Sequence, residues 1–428
     1  MKSLPFDVRS FELKNGLPVL VVPMPHVHRA HVGFFVRIGS RYETRKSNGL
    51  SHFLEHMIYR GTDSLPSAHS VNFAFEELGG SLSAETLVDA SVFSVSLPKV
   101  GLKRVSPLFA EVLSRPRFFD IEVEKKIVCE EILEDRDDEG REIDADNLSR
   151  QLIYGNHPLG FTITGDTKDV ESFDEAALRA HHESHYTARN GVLLLSGAID
   201  ESSIEELAAP FAALREGKRL TPQSPEHHQK KPRTLFVENA SSQTELRISL
   251  RAFGESDPRR PALEMLMRVF DDGMSTRLYR RISDERGLCY EVSAGYDGYE
   301  DDGIVDIRAS VQHTRTDEVV KAAIDALREI ADEGPTDREL EKARDRFVWD
   351  HEFALDAPED LGARLAFDRL LGRQLASVDW RERFLAVTRD DVRDVARLLL
   401  ARERLNIVAV GLLEPEQERA IETFANHL

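Results

Sequence analysis

The chain has 428 residues, of which 41% are hydrophobic and 31% charged, and its formal net charge at pH 7 is −20. This balance is typical of a soluble globular protein with two or more domains, and the negative charge argues against nucleic acid as a partner because phosphates would be repelled. Two cysteines, Cys129 and Cys289, are too few for a disulfide framework. The N-terminus has no apolar segment of signal-peptide length, and no stretch approaches the roughly 20 apolar residues of a membrane span. We therefore expect a cytoplasmic protein without a membrane partner.

Hydrophobic periodicity predicts interleaved strands and helices through the first half of the chain. Asn15-Gly16 is a hairpin-type turn, and the apolar residues of 48–60 recur at helical spacing. Strands are predicted at 11–13, 19–22, 31–38 and 191–197, and as a pair within 81–98. Helices are predicted at 48–60, 68–78, 99–114, 120–138 and 173–185. Such a succession indicates a layered α+β unit in which helices pack on a mixed, mainly antiparallel sheet.

The second half of the chain repeats this pattern. The predicted strand at 32–39 has a counterpart at 246–254, and the closing helix and strand at 173–199 match 388–413. A domain-sized repeat of this kind indicates duplication of a folding unit rather than a solenoid. We therefore predict two homologous α+β domains arranged as a clamshell.

The domain boundaries follow from a change in composition between the two halves. Residues 215–233 are polar, contain prolines and show no periodicity, which is typical of a linker. The predicted organisation is an N-terminal domain at 1–214, the linker at 215–233, and a C-terminal domain at 234–428.

The predicted helix at 48–60 carries the sequence His52-Phe53-Leu54-Glu55-His56. Four residues make just over one helical turn, so His52 and His56 share a face from which both imidazoles can reach one Zn²⁺. Glu55 can approach a water molecule at the metal rather than the metal itself, which is the position that a general base needs. H-x-x-E-H is the inverted form of the HExxH metallopeptidase motif. The alternative is an amphipathic helix with two surface histidines.

A catalytic zinc site needs a third protein ligand and an open position for water. Glu124 and Glu131 lie two helical turns apart on a predicted helix, so they share a face. One of them could ligate the metal while the other supports a ligand. A second histidine pair at helical spacing, His181 and His185, has no acidic partner helix, and a helix-surface or packing role is the better interpretation of it.

Several stretches of the chain resemble the insulinase–pitrilysin family of metallopeptidases, family M16, which includes the mitochondrial processing peptidase. The resemblance is strongest to the short bacterial members and covers nearly the whole chain. The stretches that carry it are FELKNGLPVLV, NGLSHFLEHMIYRGT, GG-x-L-x-A-x-T at 79–86, VEKKIVCEEI, YGNHPLGFTITGD, and STRLYRRISDERGLCYEVSA in the second half.

The resemblance implies roles for individual residues of the metal motif. One Zn²⁺ per chain would be held by His52, His56 and Glu131. Glu55 would be the general base and Glu124 a supporting carboxylate.

The resemblance also implies a substrate-binding edge strand between residues 81 and 86. An extended peptide would pair with it through backbone hydrogen bonds. The family usually has Asn where this chain has Ser83. The residues of this expected strand are Ser81, Leu82, Ser83, Ala84, Glu85 and Thr86.

Many family members carry an Arg/Tyr pair in the second half that grips the substrate carbonyl and the transition state. Here Tyr290 stands at the Tyr position, whereas Ser283 stands where the Arg is expected. Without that arginine, this chain alone is expected to stabilise the developing oxyanion less strongly than family members that have the pair. We therefore expect a dimer with a homologous partner subunit that supplies the pair, and favour a heterodimer over a homodimer. The alternative is that the nearby Arg281 reaches the same space.

Together these features predict a zinc-dependent endopeptidase that hydrolyses unfolded or small peptides and acts as the catalytic subunit of a dimer. The competing hypothesis is a non-catalytic peptide-binding or scaffold subunit, as some family relatives have become. Such relatives generally lose the metal motif, whereas this chain retains His52, Glu55 and His56.

Overall fold

The structure, a computed structural model, describes residues 7–372 and 378–428. The contacts among these residues divide them into two compact units, each assembled from three segments of the chain. Unit 1 contains the described residues of 1–134, 161–223 and 350–378, and unit 2 contains those of 135–160, 224–349 and 379–428.

A six-stranded mixed sheet forms the centre of unit 1. Its strands are β1 (Arg9–Glu12), β2 (Pro18–Pro23), β3 (Arg29–Val36), β4 (Leu82–Thr86), β5 (Ser91–Pro98) and β6 (Gly191–Gly197). They are ordered β1-β2-β6-β3-β5-β4. β2 and β6 are parallel, and all other neighbours are antiparallel.

A five-stranded mixed sheet forms the centre of unit 2. Its strands are β7 (Arg233–Val237), β8 (Thr244–Phe253), β9 (Glu291–Gly298), β10 (Asp302–Val311) and β11 (Leu405–Val410). They are ordered β7-β11-β8-β10-β9, with β7 and β11 as the parallel pair. This is the order of the first sheet without β1, so the predicted duplication and the α+β class are confirmed.

Helices surround both sheets. In the first half of the chain they are α1 (Leu50–Ile58), α2 (Ala68–Glu76), α3 (Leu102–Ser114), α4 (Ile121–Glu134), α5 (Ala145–Tyr154), α6 (Thr167–Ser172), α7 (Glu175–His185) and α8 (Ile204–Ala208). In the second half they are α9 (Arg260–Phe270), α10 (Arg277–Tyr279), α11 (Thr316–Glu333), α12 (Asp337–Phe353), α13 (Pro358–Leu370), α14 (Val378–Leu385), α15 (Arg389–Leu399) and α16 (Pro415–Asn426). None of the described helices is both long enough and apolar enough to cross a membrane.

Each sheet is covered on both faces, and one covering helix comes from the other half of the chain. In unit 1, α1, α3, α4 and α7 contribute to the core on one face, and α13 packs on the other. In unit 2, α9, α11, α12 and α15 cover one face, and α5 packs on the other. The compact units are therefore discontinuous in sequence. The boundaries at 1–214 and 234–428 describe the repeat and stay a prediction.

Two glycines bring α1 and a distant loop into backbone contact. Gly49, which precedes α1, has φ +89°, and a Cβ added there would lie 2.5 Å from the carbonyl oxygen of Thr164. A Cβ added at Gly165, with φ +79°, would lie 2.5 Å from the carbonyl oxygen of Asn48. Asn48 also donates from Nδ2 to the carbonyl oxygen of Thr162 at 2.7 Å. Only residues without a side chain permit this approach, which fixes where α1 begins.

We predict that Gly49→Ala destabilises the protein by roughly 2–5 kcal/mol, because the substitution combines an unfavourable φ with a steric clash. Gly140→Ala is the matched control, since Gly140 has φ +77° and nothing within 4 Å of its missing Cβ. It should cost only about 1–2 kcal/mol. Denaturant unfolding of both variants measures the difference, and equal losses would contradict the packing argument.

Candidate metal centre

A buried carboxylate caps the N-terminus of α1. Glu43 is 4% exposed, and its side chain accepts hydrogen bonds from the backbone N–H groups of Gly49 at 2.9 Å and Ser51 at 2.6 Å. These groups have no partner within the helix, and the helix dipole adds positive potential there, so the carboxylate stabilises this end. Burial raises the pKa of Glu43 even though these hydrogen bonds oppose the change. No capping motif in the sequence connects Glu43 to the helix, so this contact could not be predicted from the sequence.

The structure brings together the three side chains expected to hold a metal. The Nε2 atoms of His52 and His56 are 3.3 Å apart, and they lie 3.4 and 3.5 Å from the two carboxylate oxygens of Glu131. Ligands about 2.0–2.1 Å from a tetrahedral zinc ion are separated by roughly 3.3–3.4 Å. The donor set therefore fits Zn²⁺ and leaves a fourth position for water. Among the residues that the structure describes, no second group of this kind is found.

The protonation state of His52 suits metal binding. Its side chain is 9% exposed, whereas that of Glu131 is 41% exposed. Burial, with a contribution from the charge of His56, lowers the pKa of His52 to about 3. The imidazole is therefore neutral near pH 7, and a nitrogen lone pair is available to a metal.

Glu124 contacts the ring nitrogen of His56 that is not one of the grouped donor atoms. Its Oε1 accepts a hydrogen bond from Nδ1 of His56 at 2.9 Å, and its Oε2 accepts one from the guanidinium of Arg60. Burial alone would raise the pKa of Glu124, but His56 and Arg60 together hold it below the ordinary value. The ionised carboxylate favours the His56 tautomer with the proton on Nδ1. Nε2 then carries no proton, and its lone pair is available to a metal ion.

Glu55 lies beside the three donor groups and contacts the edge of the sheet. Its Oε2 accepts a hydrogen bond from Oγ1 of Thr86 at 3.0 Å. Burial raises the pKa of Glu55, although His56 and Thr86 oppose this change. A raised pKa brings a carboxylate closer to the range in which a general base is effective near neutrality. Thr86 was predicted only as a residue of the edge strand, and its contact with Glu55 was not predicted.

The expected edge strand is β4, which forms one end of the first sheet and pairs only with β5. Ser81 precedes the strand, and the other expected residues from Leu82 to Thr86 form it. Ser83 and Glu85 are exposed, whereas Leu82 and Thr86 are buried. The hydroxyl of Tyr59, just after α1, donates to the carbonyl oxygen of Leu82 at 3.3 Å, so the strand is tied to the helix. Peptide binding along β4 stays a prediction.

The expected Arg/Tyr region lies in unit 2. Tyr290 is 94% exposed and directly precedes β9. Ser283 lies in a π-helical segment, Arg280–Asp284, and its hydroxyl is buried and meets no hydrogen-bond partner in the described part of the chain. The three nearby arginines form ion pairs within the same unit: Arg280 with Glu285, Arg281 with Glu285 and Glu329, and Arg286 with Glu318.

The histidines of α7 pack beneath α1. Nε2 of His181 lies 3.1 Å from Oγ of Ser51, and the rings of His181 and His185 have centroids 4.1 Å apart. Burial lowers the pKa of both histidines. Neutral rings in an apolar setting fit the packing role expected for them.

Comparison with known proteins identifies the class of this fold and site. The family model described as Insulinase (Peptidase family M16) matches residues 19–167, and that described as Peptidase M16 inactive domain matches residues 172–347. The chain therefore belongs to peptidase family M16.

Curated relatives of similar length carry names that indicate the chemistry. An uncharacterized zinc protease of Streptomyces coelicolor is 27% identical and aligns over 96% of this chain and 91% of its own. The uncharacterized zinc protease YmxG of Bacillus subtilis is 27% identical, over 95% and 98%. An uncharacterized zinc protease of Mycobacterium tuberculosis is 29% identical, and the alignment covers 92% of this chain and 91% of the relative. The chain is therefore similar, over more than nine-tenths of its length, to proteins named as zinc proteases.

Solved structures share the fold. A peptidase M16 inactive domain from Pseudomonas fluorescens superposes with a TM-score of 0.87 at 23% identity, covering 96% of this chain and 100% of its own. A protease from Helicobacter pylori superposes with a TM-score of 0.88 at 20% identity, over 95% and 99%. At these identities the likeness supports the fold alone.

We predict that Glu124→Gln weakens zinc binding by about 10–100-fold, because a neutral amide supports His56 less strongly than a carboxylate. Competition with a chromophoric chelator measures the affinity. Glu122→Gln is the matched control on the same helix, since Glu122 is exposed and pairs with Lys125. Equal affinities of the two variants would show that Glu124 does not support a metal ligand.

Proposed function

We propose that the protein is a zinc-dependent endopeptidase that binds one Zn²⁺ through His52, His56 and Glu131. The observation that carries this proposal is the close grouping of these three side chains: the two histidine Nε2 atoms are 3.3 Å apart, and each lies 3.4–3.5 Å from one of the two carboxylate oxygens of Glu131. Zinc bound there supplies a Lewis acid that polarises a peptide carbonyl and lowers the pKa of water.

Glu55 is the proposed general base. Its carboxylate accepts the proton of the attacking water and later donates it to the nitrogen of the leaving amine, so that the group ends each cycle ionised. The hydrogen bond from Thr86 to Oε2 holds one oxygen in place and leaves Oε1 as the acceptor. Burial raises the pKa of Glu55, which favours uptake of that proton.

The proposed substrate is an extended peptide that lies along β4. An edge strand presents unpaired backbone N–H and C=O groups, and only a chain that can adopt extended geometry pairs with them. This requirement favours unfolded or small peptides over folded proteins. Thr86, at the end of β4, joins the proposed binding edge to the base through its contact with Glu55.

We predict that Glu55→Gln lowers peptide hydrolysis by at least about 10²-fold, because the amide cannot accept the proton of water. Its zinc content should equal that of the wild type, since Glu55 is not one of the three donors. The measurements are kcat on a quenched-fluorescence peptide mixture and metal analysis of the same sample. Glu122→Gln is the control for carboxylate loss, and wild-type turnover by Glu55→Gln would contradict the assignment of the base.

We further propose that the protein is the catalytic subunit of a heterodimer in the cytoplasm. Ser283 occupies the expected Arg position, and ion pairs with glutamates engage Arg280, Arg281 and Arg286. A homologous partner subunit with an Arg/Tyr pair would supply the missing oxyanion stabilisation. The cysteines, Cys129 and Cys289, are both free, which favours a reducing compartment.

We predict that the isolated chain hydrolyses peptides slowly and that the partner raises kcat by about 10²–10³-fold, which is the usual effect of one oxyanion donor. The experiment compares the isolated chain, the reconstituted pair, and the pair whose partner carries Arg→Ala. Full activity of the isolated chain would contradict the heterodimer proposal while leaving the zinc assignment intact.

The serine at position 283, where the Arg of the Arg/Tyr pair is expected, also favours a second candidate function. In it the protein is a non-catalytic peptide-binding subunit. Zinc analysis separates the two functions, since a scaffold has no need for a metal. A stoichiometry near zero that does not rise on addition of zinc, together with retained peptide binding, would favour the scaffold.

A further inference from the structure

A positively charged cavity lies in unit 1, and none of the proposed metal donors lines it. Its volume is about 250 Å³. Four arginines and one carboxylate contribute to its walls, so the formal charge of the lining is positive in a chain whose net charge is −20. The charged residues of the lining are Arg37, Arg189, Arg219, Arg369 and Glu12.

Arg37 forms the floor of the cavity. It directly follows β3 and is only 1% exposed. Its Nε donates to the hydroxyl of Tyr42 at 3.2 Å, and its guanidinium also donates to the carbonyl oxygen of Leu370 at 2.9 Å. Both acceptors hold the guanidinium plane in a set orientation. A charged, buried and oriented donor is what distinguishes a formed binding site from a patch of surface arginines.

The other three arginines come from separate segments and surround the opening. Arg219 donates from its guanidinium to the carbonyl oxygen of Leu370 at 2.9 Å, the same oxygen that Arg37 contacts. Arg369, at the end of α13, lies 3.5 Å from Glu12, and Arg189 pairs with Glu216 at 2.5 Å. These two pairs are about half exposed, so they contribute little stability and can rearrange around a ligand.

Gly16 and Asn190 bring the segments that line the cavity close together. Gly16 has φ +83°, and a Cβ added there would lie 3.0 Å from Cγ of Arg189. Asn190 is 1% exposed and connects the walls, because its Nδ2 donates to the carbonyl oxygen of Arg37 and its Oδ1 accepts from the backbone N–H of Leu220. One buried side chain therefore connects the backbone of Arg37 with the segment that follows Arg219.

We infer that this cavity binds a small anion with several oxygens, such as a phosphate group or a short dicarboxylate. Guanidinium groups match the geometry of such oxyanions and can bind them through paired hydrogen bonds. The volume admits a small ligand and excludes a folded partner. The site is independent of the proposed peptidase chemistry, since its lining contains neither a metal donor nor Glu55.

Isothermal titration calorimetry on the full chain at low ionic strength tests this inference, with inorganic phosphate and succinate as the two probes. Both probes are oxyanions. Tighter binding of phosphate would indicate a phosphorylated ligand, and tighter binding of succinate would indicate a carboxylate ligand. We expect saturable binding of at least one probe with one site per chain, weakened by added salt. The variant Arg189→Gln/Arg219→Gln should lose affinity by at least about ten-fold, because each substitution removes charge-assisted donors.

The matched control is Arg104→Gln/Arg141→Gln. Both arginines are exposed, each pairs with a carboxylate, and neither lines the cavity. This control should bind the probe with wild-type affinity. Absence of saturable heat with both anions would overturn the inference, as would equal affinities for the cavity variant and the control. Equal affinities are also the result expected if the anion binds at the zinc site instead of the cavity.

Discussion

The candidate metal centre depends on the buried carboxylate of Glu124, which joins two helices. Its oxygens contact His56, the last residue of the H-x-x-E-H motif, and Arg60, which follows the motif. A buried carboxylate is costly unless it is paired and hydrogen-bonded, so this contact requires α1 and α4 to meet in one register. That register places Glu131, two turns further along α4, against Nε2 of His52 and His56. The same interaction therefore aligns the helices and selects the tautomer of a proposed ligand.

The two units show how duplicated architecture can diverge in chemistry. In unit 2, α9 and α12 occupy the places in chain order that α1 and α4 occupy in unit 1. Arg268 of α9 pairs with Glu264 and Asp272, and Arg346 of α12 pairs with Asp272. Ion pairs thus connect these helices, whereas histidines and carboxylates connect their counterparts.

Periodicity and motif spacing predicted much of the fold and the candidate site. The strands, the main helices and the repeat followed from local patterns, and helical spacing put His52 and His56 on one face and Glu124 and Glu131 on another. The choice of Glu131 as the third ligand came from the resemblance to family M16. The sequence did not reveal that α5 packs in unit 2 and α13 in unit 1, because amphipathicity shows which face is buried but not against which sheet. Glu43 and the contact of Thr86 with Glu55 were also missed, since these partners meet only through tertiary packing.

The most direct test of the central claim is anomalous X-ray scattering at the zinc absorption edge from crystals of the purified protein. We predict one strong peak per chain, within about 2.0–2.2 Å of Nε2 of His52, Nε2 of His56 and a carboxylate oxygen of Glu131. A crystal grown with excess zinc that shows no peak there, or a peak held by other side chains, would contradict it.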